Sequence, residues 1–152
     1  MKAEHINPFI VAVTTVFKQA LNLELERGEI SLKSNCNPSL GLSAILSLTG
    51  KASGLVVLSI DQAVATHAAE VFLGEKVDTI NQDVIDLTGE LGNMVAGKAK
   101  SLLEQYEMSL GLPSVITGKD HVISFPVNVQ PIEIPFTSPM GAVQIDAGLE
   151  EN

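Results

Sequence analysis

Tryptophan is absent from these 152 residues, tyrosine occurs once and phenylalanine five times. A surface that stacks single-stranded nucleic acid on aromatic rings has little to be built from. Basic residues are also few: nine Lys and Arg face 18 Asp and Glu, a formal net charge of -9. Such a chain on average repels a phosphate backbone and an anionic lipid surface. Neither nucleic acid nor membrane is expected as a partner. The single cysteine, Cys36, excludes an intramolecular disulfide and is read as a loop thiol. No Cys/His spacing suggests zinc, and His5, His67 and His121 lie far apart. They are expected as surface or loop histidines, with no metal site and no cofactor in the chain. Long apolar runs are missing too. "LVVLSI", from Leu55 to Ile60, falls far short of the roughly 20 residues that span a bilayer. The opening "MKAEHINPFIVAVTTVF" lacks the pattern of a secretory signal, so a cytoplasmic location is expected.

What is present points to an ordinary globular domain, with 45% hydrophobic and 18% charged residues. The length suits one domain covering residues 1–152. Asn7 is the expected N-cap of a first helix, with Pro8 in its first turn and Phe9, Ile10, Val13, Phe17, Ala20 and Leu21 on its buried face. "EISLKSN" reads as a short strand. "LSAILSLTG" and "SGLVVLSI" read as two more, joined by a hairpin turn at "GKAS". Asp61 caps a second helix that ends at Gly74 and buries Val64, Ala68, Val71 and Phe72. A long third helix runs from about Thr79 or Gln82 to Tyr106. "SVITG", "HVISFPVNVQPIEIPFT" and "GAVQIDAGL" then read as strands, with Pro126, Pro131 and Pro135 marking an edge, bulge or break in the middle one. The tail "GLEEN" is expected to fray.

The two halves share a layout of helix, short strand and hairpin. This predicts an α+β fold: an antiparallel sheet of about six strands with long helices packed on one face and a pseudo-two-fold internal repeat.

The third helix poses a question. "DVIDLTGELGNMVAGKAKSLLEQ" contains Gly89, Gly92 and Gly97. Each costs about 0.5–1 kcal/mol relative to alanine in a helix interior. At about 100° per residue, Leu87, Leu91, Val95, Lys98 and Leu102 lie within about 60° of Val84. That is the predicted buried stripe, with Met94 at its edge and Lys98 snorkelling. Asp86, Glu90, Asn93, Gly97 and Glu104 gather on the opposite side, at roughly 180–240°. Gly89 and Gly97 are expected to flank Glu90 and Asn93 there and to let another protein's backbone approach. Gly92, at about 80°, is assigned to close packing within the fold. An exposed asparagine is a poor helix former, because its side chain competes with the backbone. Solvation alone explains neither it nor the glycines.

This stretch resembles the signature of the CheC–CheX–FliY family of bacterial chemotaxis phosphatases: Asp or Ser, three residues, Glu, two residues, Asn, then a distant proline. Asp86, Glu90 and Asn93 are in register. Pro113 follows with 19 residues intervening, a shorter gap than the family's. "NPFIVAVTTVF", "GLVVLSI" and "LPSVITGK" extend the resemblance over nearly the whole chain. The stretch of the first helix that matches the family reads "VAVTTVFKQ" and carries no second Glu-x-x-Asn, so the chain looks CheX-like.

The resemblance implies a phosphatase for the aspartyl phosphate of a CheY-like receiver domain. It assigns Asn93 to orienting the attacking water and Glu90 to docking on a receiver lysine. Asp86, Gly89 and Gly97 are expected at the partner surface, Mg²⁺ in the partner's acidic pocket, and a homodimer. The other function considered is a non-catalytic module that binds a response regulator or a flagellar-motor component on the same fold.

Overall fold

A computed structural model describes residues 2–33, 40–119 and 121–152. Cys36 lies outside them. The elements run α1 (Ala3–Leu21), β1 (Glu26–Arg27), β2 (Ser31–Leu32), β3 (Leu42–Thr49), β4 (Ala52–Ile60), α2 (Gln62–Leu73), α3 (Gln82–Ser101), β5 (Ser109–Leu110), β6 (Ser114–Thr117), β7 (Ile132–Ser138) and β8 (Gly141–Glu151). Eight antiparallel strands form one sheet of order β1-β7-β8-β4-β3-β5, with β2 also on β7 and β6 also on β3. The eight strands therefore occupy six columns, as the two short strands at each edge share one. The order is unchanged when β1/β2, β3 and β4 are exchanged with β5/β6, β7 and β8, a symmetry of connectivity.

The helices cover one face. Leu42, Ala44, Leu46 and Leu48 of β3 alternate toward them, as do Val56, Leu58 and Ile60 of β4 and Val143, Ile145 and Ala147 of β8. They meet Phe9, Val13 and Phe17 of α1 and Val84, Leu91 and Val95 of α3 in a single core. The β3–β4 hairpin turns at Gly50 and Lys51 as expected. Asp61 caps α2 by accepting from the Val64 amide at 3.0 Å, and its other oxygen accepts from the Ala142 amide at 2.8 Å, tying the helix to β8. Gly74 closes α2 in the left-handed region at φ 72°.

Several expectations are corrected. The first helix starts at Ala3 with Lys2 as N-cap, so Pro8 sits inside it, and so does a Glu-x-x-Asn, the exposed Glu4 and Asn7, which the sequence reading of this helix left out. An internal proline costs a helix about 3 kcal/mol. The early start is held by His5, which is buried and hydrogen-bonded through Nε2 to the Tyr106 hydroxyl at 2.7 Å. His5 is thus a core residue, and His67 is half-buried in α2. In α2, Val71 and Phe72 are about half exposed, while Ala65 and Ala69 are buried with Val64 and Ala68. The small alanines let the helix lie close, which rotates the buried face away from the larger side chains. The tail does not fray. β8 runs to Glu151, Lys2 Nζ meets Glu151 Oε2 at 3.0 Å, and the Asn152 amide donates to the Lys51 carbonyl at 2.8 Å.

The second sheet face also differs from the sequence reading. Residues 121–131 form no strand. They cross this face and pack Phe125 and Val129 into space that a side chain at Gly148 would fill. The only part of "HVISFPVNVQPIEIPFT" that joins the sheet is β7, within which Pro135 lies. β1 pairs up to Phe136 and β2 from Glu133 onward, so the edge column is interrupted at Pro135, the residue with no amide to donate. β1 itself is absent from the sequence reading. On this face Lys33 and Asp146 form a buried ion pair at 2.9 Å, and Gln144 Nε2 donates to both Glu133 Oε1 and Asp146 Oδ1. Burial pushes the Asp146 carboxyl above its usual range, opposed by Lys33.

Candidate functional site

Why α3 forms where it does is local. The Asn81 side chain accepts from the Val84 amide at 3.1 Å and caps the first turn. Asp83 stands in that turn, and Lys98 and Lys100 in the last, each matched to the helix dipole. The helix ends at Ser101, and Glu104–Tyr106 form a separate 3-10 turn.

Its buried side is Val84, Thr88, Gly89, Leu91, Gly92, Val95, Ala96 and Ala99. Thr88 is satisfied there by donating to the Val84 carbonyl at 2.8 Å. The predicted stripe is therefore displaced around the helix: Lys98 and Leu102 are exposed and the small residues are inside. A Cβ at position 92 would lie 2.7 Å from Ala44 Cβ and 3.0 Å from Leu46 Cδ1. Gly92 thus brings the helix backbone down onto β3, as the sequence reading proposed. Gly89 is a correction. A Cβ there would meet Val115 Cγ2 at 3.2 Å and Pro113 at 3.6 Å, so this chain fills the space, and no clearance remains for a partner. Gly97 is open, with nothing within 4 Å of where its Cβ would be.

The outward face carries Asp86 and Glu90, both exposed, with Asn93 and Gly97 half-buried beside them. Glu90 and Asn93 are three residues apart and so are neighbours on the helix surface. Asp86 accepts from Gln82 Nε2 at 2.7 Å. No hydrogen bond or ion pair engages the side chain of Glu90 or Asn93 among the described residues. A carboxylate and a carboxamide are thus presented together on a convex surface, backed by a packed core. The amide can accept from and donate to water while adding no charge. A cavity of about 360 Å³ lies elsewhere, on the second sheet face, lined by residues including Ser47, Ser53, Pro126 and Val129. Among the described residues no group of three or more His, Cys, Asp or Glu could hold a metal ion. Among the described residues no helix is long and apolar enough to cross a membrane.

Pro113 lies beside α3. Despite the shortened gap, it packs against α3 at Gly89, one residue before Glu90.

Comparison with known proteins decides the family. The family described as chemotaxis phosphatase CheX matches residues 42–137. This chain belongs to the CheX family. A CheX from Thermotoga maritima, described as a CheY-P phosphatase, is 26% identical over 123 residues, which is 79% of each chain. The crystal structure of a CheC-like superfamily protein from Shewanella sp. PV-4 is 34% identical, with a TM-score of 0.90 over 99% of both chains. A crystal structure of the CheX–CheY–BeF3–Mg²⁺ complex from Borrelia burgdorferi is 25% identical. Its TM-score is 0.82, over 97% of this chain and 98% of that one. The CheX fold is thus matched along nearly the whole chain, α3 included.

Proposed function

We propose that this chain dephosphorylates the aspartyl phosphate of a CheY-like receiver domain, using α3 as the element laid beside the phosphoryl group. The supporting observation is the state of Glu90 and Asn93. They are adjacent, accessible and, among the described residues, without side-chain partners, on a helix whose other side is locked into the core. The Thermotoga relative is named for CheY-P, and the Borrelia relative is seen with CheY, which supports the same class of partner here.

In this reading Asn93 holds a water in line with phosphorus. The water oxygen bonds to phosphorus as the bond to the aspartyl oxygen breaks. The aspartate leaves as carboxylate, inorganic phosphate is released, and the water's proton passes to phosphate or solvent. The transition state is loose, so positioning and charge placement supply most of the catalysis. Glu90 pairs with a lysine of the receiver and sets the register of the helix. General-base action by Glu90 is not required, because the loose transition state needs little proton abstraction. Gly97 keeps the flank of the site thin. Mg²⁺ belongs to the receiver's acidic pocket. The reading includes a homodimer, supported by the sheet edge at β6, whose outer side has no strand partner among the described residues.

The test is decay of the acyl phosphate. A CheY-like receiver is phosphorylated with acetyl phosphate and Mg²⁺, the donor is removed, and phosphate loss is followed. Wild type should accelerate decay. Asn93→Ala should lose roughly 10²-fold or more of that acceleration, the scale of a misplaced reactant. Glu90→Ala should weaken receiver binding. Decay at the buffer rate with wild type present refutes the phosphatase, and retained binding without acceleration identifies a docking module instead.

A further inference from the structure

We infer that Leu112 is a docking residue for the receiver domain, an apolar contact beside Asn93 that sets affinity and leaves the chemistry to α3. This rests on the proposed receiver-binding role of the α3 face.

The position follows from register. Ser114 stands opposite Ile45 of β3, and the Gly111 amide donates to the Ser47 carbonyl at 2.9 Å. Leu112 is therefore level with Leu46, the side chain that lies under Gly92 of α3. The next residue, Pro113, packs on the helix at Gly89. Asn93 is one turn beyond Gly89, so the two share a flank of the helix, the one that faces the β5–β6 edge. Leu112, the residue before Pro113, stands at that edge.

It is held rigidly and buries almost nothing. β5 and β6 anchor the chain on both sides of it, with Leu110 and Val115 packed against the core. Pro113 fixes the backbone that follows. Yet Leu112 is 93% exposed. Serine would serve folding as well at that position. Single exposed apolar residues are ordinary and by themselves mark nothing. Leu112 differs in its place, beside the α3 face that carries Glu90 and Asn93. Val127 is as exposed, at 106%, but belongs to the segment that crosses the second sheet face. It supplies the control.

The experiment is a binding titration with a CheY-like receiver loaded with beryllofluoride and Mg²⁺, followed by steady-state dephosphorylation with the phosphorylated receiver. Leu112→Asp and Leu112→Ser should raise Kd and KM by roughly tenfold or more, the scale of losing one buried leucine, with kcat kept. Val127→Asp should bind as wild type does. All three variants should melt with wild type, because neither site is in the core. Unchanged binding by the Leu112 variants overturns the inference. So does an equal loss with Val127→Asp, or a fall in kcat at constant KM. If wild type binds the loaded receiver without accelerating phosphate loss, the phosphatase reading fails, and the titration still decides Leu112. If wild type does not bind it, both fail.

Discussion

Gly92 and Gly97 lie on one helix and invite the same substitution, and the structure separates its consequences. Alanine at either position gains about 1 kcal/mol of helix propensity. At Gly97 nothing opposes the gain, because the new methyl meets open space. At Gly92 the methyl arrives 2.7 Å from Ala44 Cβ, where ordinary contact begins at 3.4 Å, an overlap of 3.4 − 2.7 = 0.7 Å. Ala44 Cβ is bonded directly to the backbone of β3 and has no rotamer to move into. Leu46 Cδ1, at 3.0 Å, can swing aside. Relief at Ala44 therefore requires α3 to lift from the sheet, an overpacking cost of about 1–3 kcal/mol.

The propensity term cancels between the two variants, so the difference between them isolates the clash. For a domain of this size each 1 kcal/mol moves Tm by about 2–4 °C. Thermal melts should then place Gly97→Ala above wild type and Gly92→Ala at least 2 °C or so below Gly97→Ala. A Gly92→Ala protein as stable as Gly97→Ala would refute close packing as the reason for that glycine. The second readout is functional. Gly97→Ala, although stabilised, should raise KM for the phosphorylated receiver, because its methyl enters the space a partner uses. If KM is unchanged, Gly97 provides no clearance and its presence in α3 is unexplained.

Two further predictions concern buried polar groups. Lys33→Met leaves Asp146 buried without its partner and should cost about 3–5 kcal/mol at neutral pH. Burial already raises the Asp146 pKa in the folded state, so its contribution to stability is present below the unfolded value of about 3.9 and lost as pH rises through the folded value. Removing Lys33 raises that folded value further. Denaturation at several pH values should show the gap between variant and wild type shrinking on acidification, and a constant gap between pH 4 and 7 would sink the argument. Tyr106→Phe removes the partner of His5 Nε2 while His5 Nδ1 already has none in the described structure. The ring would then be buried with neither nitrogen hydrogen-bonded, Glu4 Oε1 standing 3.9 Å from Nε2, and urea denaturation should show a loss of about 1–3 kcal/mol.

Local chemistry was legible where one residue type answers one geometric need. Asp61 and Gly74 bound α2 as their cap preferences dictate, and Gly50 and Lys51 turn the β3–β4 hairpin. That Glu90 and Asn93 are neighbours on α3 was legible from their spacing alone, although Asn93 borders the buried side and is half-buried. Orientation was harder. Weighting by large apolar side chains placed Leu102, Val71 and Phe72 inward, yet close approach is achieved through Gly89, Gly92, Ala65, Ala69, Ala96 and Ala99. Small residues carry little hydrophobic signal and much steric permission. The start of α1 was hidden because His5 is polar by type and buried only through Tyr106, which is 101 positions away. The course of residues 121–131 was hidden for a related reason: alternating apolar residues resemble a strand, and the second face they cover contains charges.

The connectivity of the sheet bears on how the chain can fold. Its central column joins β4 to β8, with partners from 83 residues apart (Ile60 and Val143) to 99 (Ala52 and Glu151). Each edge column rests on a strand from the other half: β1/β2 on β7, β5/β6 on β3. Neither half can complete its own side of the sheet. An isolated N-terminal half would hold the β3–β4 hairpin with both its flanks bare, a poor candidate for independent stability. Loop closure over such separations must precede the contacts that reward it, which places folding in the slow, millisecond-to-second class. During synthesis α3 emerges well before β8 completes the centre of the sheet.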